Sequence, residues 1–187
     1  MSIPGLEKLV SLLDEAVGER DVEATTDRIK SGLCRLLRSG EVRLPEELCE
    51  PLDGHYARRL VYRSKQHGYS VVAMTWSPGQ ATPIHDHSGM WCVEGVCDGS
   101  LEVQQYELVE QDADRFRFEK RNSYQAGFGS AGCLIPPYEY HRITNPYDDE
   151  TAVSIHIYGG EMTCCNVFQR ADGDWYTCCE KSLSLDA

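Results

Sequence analysis

The sequence predicts a mainly β protein, a small antiparallel β-barrel or jelly roll with N-terminal α-helices packed on it. Two observations predict this fold class. From about residue 56 onward, short apolar runs recur at short intervals, separated by turn signals such as Ser-Pro-Gly at residues 77–79 and Asp-Gly-Ser at residues 98–100. Before that point, apolar residues recur at helical spacing instead. Many short, evenly spaced strands are typical of antiparallel sandwiches and barrels.

The N-terminal part of the chain, residues 1–50, reads as helical. Leucine and valine recur every three or four positions across Leu6–Val17, and the same spacing returns across Val22–Ser39. Gly40 follows the second segment, and glycine often follows the C-terminus of a helix. Pro45 is suited to the first position of a short third helix.

Seven strand-like segments follow the helices. They cover residues 69–76, 93–96, 101–108, 116–119, 132–135, 152–158 and 164–170. We expect the helices to pack on the barrel rather than to form a unit of their own. The whole chain, residues 1–187, is therefore predicted to be one domain, with residues 56–175 as the barrel that carries the functional site.

The composition argues against several classes of function. A net charge of −12 and a pI near 4.9 disfavour nucleic acid and anionic membranes as partners. No segment approaches the roughly 18 consecutive apolar residues of a membrane span. The N-terminal stretch lacks the basic region of a secretory signal, so a cytoplasmic protein is expected. The nine cysteines form no regular disulfide framework and no CxxC pair, which favours reduced, mostly buried thiols.

The sharpest functional feature is the run Pro-Ile-His-Asp-His at residues 83–87. Alternate residues of a strand point to the same face, so His85 and His87 can aim at one point inside a barrel. Two imidazoles on one face suit a divalent transition metal, and His141 is the best candidate for a third ligand. With six histidines in the chain an HxH pair can also arise by chance, so the surrounding residues have to decide.

The spacing around these histidines resembles the two sequence motifs of the cupin superfamily. In the first motif, a glycine, HxH, a glutamate and a second glycine follow at fixed intervals. Here Gly79 and Gly99 occupy the glycine positions, but Cys92 stands where the glutamate is usual. The second motif fits around His141 less completely, because Tyr138 stands where glycine is usual. The resemblance implies the cupin fold.

The cysteine in place of the glutamate narrows the comparison. A site of three neutral histidines keeps coordination positions open for a bidentate substrate and O₂ together. The cysteine dioxygenase family shows this departure, and the sequence from about Tyr56 to Arg170 resembles that family. The resemblance implies one Fe(II) per chain, held by His85, His87 and His141.

A second feature is the strict alternation of residues 154–158, which places Ser154, His156 and Tyr158 on one face of a strand. On its own, this pattern also fits an amphipathic strand with its polar face in solvent. The family carries Ser-x-His-x-Tyr in this place. The resemblance therefore implies a hydrogen-bonded relay whose tyrosine hydroxyl lies beside the metal.

The pairing of Cys92 with Tyr158 raises a further expectation. In animal-type members of the family, a cysteine at this position becomes linked to the tyrosine through a thioether bond. Both partners are present here, so a Cys92–Tyr158 crosslink is predicted, with a small buried thiol as the alternative. Cys164 and Cys165 follow on a later strand, and one of them is a candidate for lining the pocket.

A substrate carboxylate requires a cation. An arginine fork binds a carboxylate in two places, so it selects amino acids over bare thiols. The resemblance places Arg58 at the family's carboxylate-binding arginine, with Tyr56 beside it. Arg59 is the competing residue, although alternation would point it outward, and a surface salt bridge is the alternative for either arginine. His55 and His67 are expected at the surface.

These features predict a cysteine dioxygenase that oxidises the L-cysteine thiol with O₂ to cysteine sulfinic acid. The resemblance implies that Tyr158 orients the substrate and bound oxygen, while His156 and Ser154 hold Tyr158. The same reaction on 3-mercaptopropionate or another thiol is the first alternative. The resemblance disfavours it, because the related mercaptopropionate dioxygenases carry glutamine at the position of Arg58. A non-catalytic metal-binding cupin is the second. A monomer is expected.

Overall fold

The computed structural model describes residues 2–19 and 21–187 of the chain. Its first part holds three helices, α1 (Leu6–Ala16), α2 (Val22–Arg38) and α3 (Glu46–Cys49). The carboxylate of Asp21 caps α2 by accepting the backbone N–H of Ala24. Leucines and isoleucines at helical spacing face inward on α1 and α2, as the sequence pattern predicts.

Eleven strands follow within the described residues. They are β1 (Ala57–Arg63), β2 (Ser70–Trp76), β3 (Ile84–His85), β4 (Cys92–Asp98), β5 (Ser100–Asp112), β6 (Arg115–Gly127), β7 (Ala131–Leu134), β8 (His141–Thr144), β9 (Ala152–Tyr158), β10 (Cys164–Arg170) and β11 (Trp175–Ser182). The seven predicted segments correspond to β2, β4, β5, β6, β7, β9 and β10. Strand β11 extends past residue 175, the C-terminal limit predicted for the barrel.

The strands form two sheets. One sheet has five strands in the order β1-β2-β9-β4-β7, and the other six close on themselves in the order β10-β11-β6-β5-β8-β3. Every strand pairing is antiparallel. The mainly β cupin fold with N-terminal helices, predicted from the sequence, is confirmed.

The five-stranded sheet separates two apolar cores. On its outer face, Ile155 and Ile157 of β9 pack with the inward face of α1 and α2. On its inner face, alternate residues of the same strand, including Tyr158, contribute to the barrel interior. Because both faces are covered, every residue of β2 and β9 is buried.

Helix α2 packs directly on strand β4. A Cβ atom at Gly95 would come within 2.8 Å of the Leu33 side chain, so a larger residue there would force that side chain to shift. The contact fixes β4, whose other face carries site residues. In the part of the chain that the structure describes, the helices are too short or too polar to cross a membrane.

Candidate active site

Three histidine side chains converge inside the barrel. His85 ends β3, His141 begins β8, and these two residues pair directly across the strands. His87 lies two residues beyond His85, after β3 has ended, and its ring still faces the other two. One ligand nitrogen from each ring lies within 4.8 Å of the others, as in a metal-binding group. The structure brings together the three histidines that the sequence predicts as metal ligands.

The Nδ1 atom of each ring faces the protein rather than the centre of the cluster. His85 Nδ1 is 3.1 Å from the carbonyl oxygen of Pro83. His87 Nδ1 is 3.0 Å from the Glu139 carboxylate, which also accepts the backbone N–H of His87 at 2.7 Å. Acceptors at these two Nδ1 positions place the ring protons there and leave both Nε2 lone pairs free for a metal.

The arrangement fits a resident metal ion. The Nε2 atoms of His85 and His141 lie 3.1 Å apart. With metal–nitrogen bonds of about 2.1 Å, this separation corresponds to an angle of about 95° at a shared ion. Burial and the neighbouring His87 lower the pKa of His85 to about 3, and burial lowers the pKa of His141 well below its usual value. Both rings are therefore neutral at physiological pH, the state in which imidazole binds metal.

Strand β9 supplies a second row of polar groups beside the histidines. Ser154, His156 and Tyr158 are all buried and share the inner face of the sheet. Ser154 Oγ lies 2.8 Å from His156 Nε2 and accepts the indole N–H of Trp76 at 2.9 Å. Among the described residues, the Tyr158 hydroxyl forms no hydrogen bond with His156. The Ser154–His156 hydrogen bond of the expected relay is therefore present, and Trp76 extends it at the serine.

Cys92 and Tyr158 face each other on adjacent strands. They are paired residues of β4 and β9, so their Cβ atoms are roughly 4.5–5.5 Å apart, as in any directly opposed antiparallel pair. Both side chains are buried, and burial raises the pKa of each well above its usual value. The two partners of the predicted crosslink are thus within reach of one another.

A pocket adjoins the histidines. Its lining includes Tyr56, Arg58, His85, Tyr158, Cys165 and Lys181. Tyr56 is stacked on Trp76 with ring centroids 4.6 Å apart. Of the two adjacent cysteines, Cys165 lines the pocket, whereas the Cys164 carbonyl accepts a hydrogen bond from Ser88.

The two neighbouring arginines of β1 have different hydrogen-bond partners. Arg58 is 5% exposed and reaches the pocket, and its guanidinium donates to the carbonyls of Ser184 and Met162 while Nε has no partner. Arg59 is also buried, contrary to the outward orientation expected from alternation alone. It donates to the carbonyls of Glu50 and Ala187 and takes no part in the pocket.

The predicted surface histidines lie away from the site. His55 is well exposed and contacts the Asp186 carboxylate at 3.2 Å. His67 is partly exposed and lies near Asp14. Neither ring joins the metal-binding group.

Several residues at the site were not identified from the sequence. Glu139 is bonded to His87, Glu94 lies behind His141, and Asp186 holds the backbone of Arg58. The first two are separated from their partners by 52 and 47 positions, so no local spacing indicates the contacts. Burial of a glutamate within a strand pattern was the available signal, since β4 reads Cys-Val-Glu-Gly-Val.

Comparison with known proteins agrees with this geometry. A family model described as "Cysteine dioxygenase type I" matches residues 52–171. Cysteine dioxygenase type 1 of Rattus norvegicus is 22% identical over 118 residues, which cover 63% of this chain and 58% of the relative, and the Homo sapiens protein matches equally. The chain thus spans under two thirds of the length of these relatives.

Solved structures with similar folds match more distantly. The TT1209 protein of Thermus thermophilus has a TM-score of 0.47 at 18% identity, covering 60% of this chain and 90% of that one. A Cupin 2 conserved barrel domain protein of Salinispora arenicola has a TM-score of 0.43 at 16% identity, covering 63% and 87%. The family model covers well over half of the sequence and includes all three histidines. The chain belongs to the cysteine dioxygenase type I family.

Proposed function

We propose that this protein is an L-cysteine dioxygenase, a non-haem iron enzyme that adds both atoms of O₂ to the thiol sulfur and releases cysteine sulfinic acid. The observation that carries the proposal is the group of three converging histidines beside a pocket that contains a buried arginine. Membership of the family supports it.

His85, His87 and His141 would hold one Fe(II). When bound, the metal supplies the oxygen chemistry and favours the thiolate form of the substrate. Because all three ligands are neutral, the site retains the positive charge that attracts a thiolate. Buried Glu139 keeps the His87 ring oriented through its Nδ1–H.

Arg58 would bind the substrate carboxylate. Its Nε–H is buried without a partner, while the hydrogen bonds to Ser184 and Met162 hold the guanidinium in place. Tyr56 closes the same wall of the pocket. This arrangement favours L-cysteine over thiols that lack a carboxylate.

Tyr158 would orient the substrate and the reacting oxygen with its free hydroxyl. Burial keeps that hydroxyl protonated, so it can donate a hydrogen bond. We also propose a thioether crosslink between Cys92 and Tyr158, which the strand pairing favours. We further propose a monomeric protein, and a cytoplasmic location is in keeping with nine free thiols.

The deciding experiment is anaerobic loading with Fe(II), followed by addition of L-cysteine and labelled O₂. Mass analysis should show cysteine sulfinic acid with both oxygen atoms from O₂. Parallel oxygen-uptake assays with 3-mercaptopropionate and cysteamine test the choice of thiol. A higher specificity constant for 3-mercaptopropionate would reassign the substrate, and no oxygen uptake with any thiol would indicate a non-catalytic metal-binding protein.

A further inference from the structure

Glu94 is a buried carboxyl group next to the metal site that none of the roles above uses. It lies on β4, two residues after Cys92, so both side chains project from the same face. It is 8% exposed. Its Oε1 atom is 3.7 Å from His141 Nδ1, and its Oε2 atom is 3.6 Å from His156 Nδ1.

Two of these atoms lack hydrogen bonds. Glu94 Oε2 and His141 Nδ1, together with Arg58 Nε, are the buried side-chain polar atoms without a partner in the described residues. Leaving such groups unpaired costs roughly 1–3 kcal/mol each, and an apolar residue of similar size would avoid that cost.

The hydrogen-bond chain on β9 determines which nitrogen of His156 carries the proton. The indole N–H of Trp76 can only donate, so Ser154 Oγ accepts it. Among the described residues, the other hydrogen-bond partner of Ser154 Oγ is His156 Nε2, so the buried hydroxyl proton is directed at that nitrogen, which acts as the acceptor. The proton of the neutral ring is consequently on Nδ1, and that N–H faces Glu94.

The second donor comes from the metal ligand. His141 Nε2 faces the other two histidines, so a His141 that binds metal carries its proton on Nδ1. That N–H also faces Glu94. The carboxyl group therefore has one N–H donor before each of its oxygens. Both contacts exceed an ordinary N–H···O distance by about 0.7 Å. Glu94 and His156 also border a largely apolar cavity between β4, β5 and β7, so the Glu94 side chain is not tightly packed on every side.

We propose that Glu94 is a positioning residue that accepts the Nδ1–H groups of His141 and His156 together, and so links the metal ligand to the Trp76–Ser154–His156 chain. This inference rests on the metal site of the proposed function but not on the identity of its thiol. It also explains why Tyr158 is not bonded to His156. The series of hydrogen bonds ends at Nδ1 of the metal ligand His141, and the Tyr158 hydroxyl stays free for the pocket.

The test uses Zn(II)-loaded protein with ¹⁵N-labelled histidine, without thiol or O₂. Two-bond ¹H–¹⁵N NMR spectra should show His156 protonated on Nδ1. Substitution Glu94→Leu should shift the Nδ1–H signals of His141 and His156 and leave that of His87 unchanged. Glu139→Gln is the matched control, because it removes the other buried carboxylate and should shift only His87.

Zinc affinity gives a second readout. Loss of a carboxylate behind a metal-binding histidine typically costs 10- to 100-fold in affinity, and we expect a value in that range for Glu94→Leu. Glu94→Gln keeps one acceptor oxygen and should recover part of the loss. Circular dichroism checks that both variants fold. If Glu94→Leu does not fold, the NMR spectra of the wild type and of Glu94→Gln decide the question.

A His156 ring protonated on Nε2 would overturn the proposal. The proposal would also be overturned if Glu94→Leu left the His141 and His156 signals unshifted and bound zinc with an affinity within twofold of wild type. An enzyme that oxidises no thiol leaves these readouts intact, so failure of the proposed reaction is distinguishable. If the wild-type protein binds no zinc, the metal site itself is refuted, and the His156 tautomer in metal-free protein still tests the link to Glu94.

Discussion

Asp186, on the segment that follows β11, forms hydrogen bonds with the backbone of Arg58, the proposed substrate-binding residue. Its carboxylate accepts the backbone N–H of Arg58 at 2.8 Å, and its own backbone N–H donates to the Arg58 carbonyl at 2.7 Å. The same segment provides the Ser184 carbonyl for the Arg58 guanidinium. Substitution Asp186→Ala removes one of these contacts and loosens the segment that makes the others.

The size of the effect follows from the contact that is lost. A buried backbone N–H left without an acceptor costs about 1–3 kcal/mol. Because the Asp186 side chain is 20% exposed, water can partly replace the carboxylate, and about 1–2 kcal/mol is expected. Because a displaced Arg58 binds the substrate carboxylate less tightly, a loss of this free energy in substrate binding raises KM for L-cysteine roughly 5- to 30-fold.

The assay is oxygen uptake by the Fe(II)-loaded enzyme with two thiols. Cysteamine carries no carboxylate, so its KM should change by less than twofold in Asp186→Ala. Asp186→Asn keeps an acceptor oxygen for the Arg58 N–H and should lie close to wild type. Equal losses with L-cysteine and cysteamine would refute the reasoning, since they would indicate general damage to the site rather than a displaced carboxylate-binding group.

Four further outcomes are expected. Substitution Cys92→Ser should abolish the thioether crosslink. Intact mass should then show the wild-type protein lighter by two hydrogens than its sequence mass, and the variant at its full sequence mass. A wild-type protein at its full sequence mass contradicts the crosslink. Arg58→Gln should lower kcat/KM for L-cysteine by at least tenfold relative to cysteamine in oxygen-uptake assays, because a charged bidentate donor is lost; an unchanged ratio would assign the carboxylate to another group. Glu139→Gln should weaken metal binding about 10- to 100-fold by calorimetry, because His87 loses a charged partner; affinity equal to wild type would remove Glu139 from the metal site. Burial raises the pKa of Asp186, but hydrogen bonds from Arg58 and His55 outweigh it, and the pKa is lowered from 3.8. Asp186 therefore stabilises the fold above that pH, and the stability advantage of wild type over Asp186→Asn in urea titrations should be larger at pH 5 than below pH 3.8. A larger advantage below pH 3.8 than at pH 5 would show the opposite sign.

The sequence predicted those parts of the fold and site that local spacing controls. Strand β9 was predicted with the bounds that the structure shows, because its alternation and apolar composition are both strong. The four strands not predicted have weaker signals. Strands β3 and β8 have only two and four residues, β11 is mostly polar and exposed, and β1 carries three arginines in seven residues. Arg58 and Arg59 are buried because each donates a hydrogen bond to a carbonyl group of the distant C-terminal segment, which no local pattern reveals.

The same distinction applies to the site. The sequence by itself indicated the His85 and His87 pair and the Ser154, His156 and Tyr158 row, because a period of two places alternate side chains on one face of a strand. His141 and Cys92 were indicated by the resemblance of the motif spacing to a known family. Only the tertiary structure placed Glu139 on His87, Glu94 between His141 and His156, and Asp186 under Arg58. Each of these contacts joins segments at least 47 positions apart. The physical reason is that a buried polar group takes its partner from whatever element the fold brings beside it, and that choice is made by packing rather than by sequence spacing.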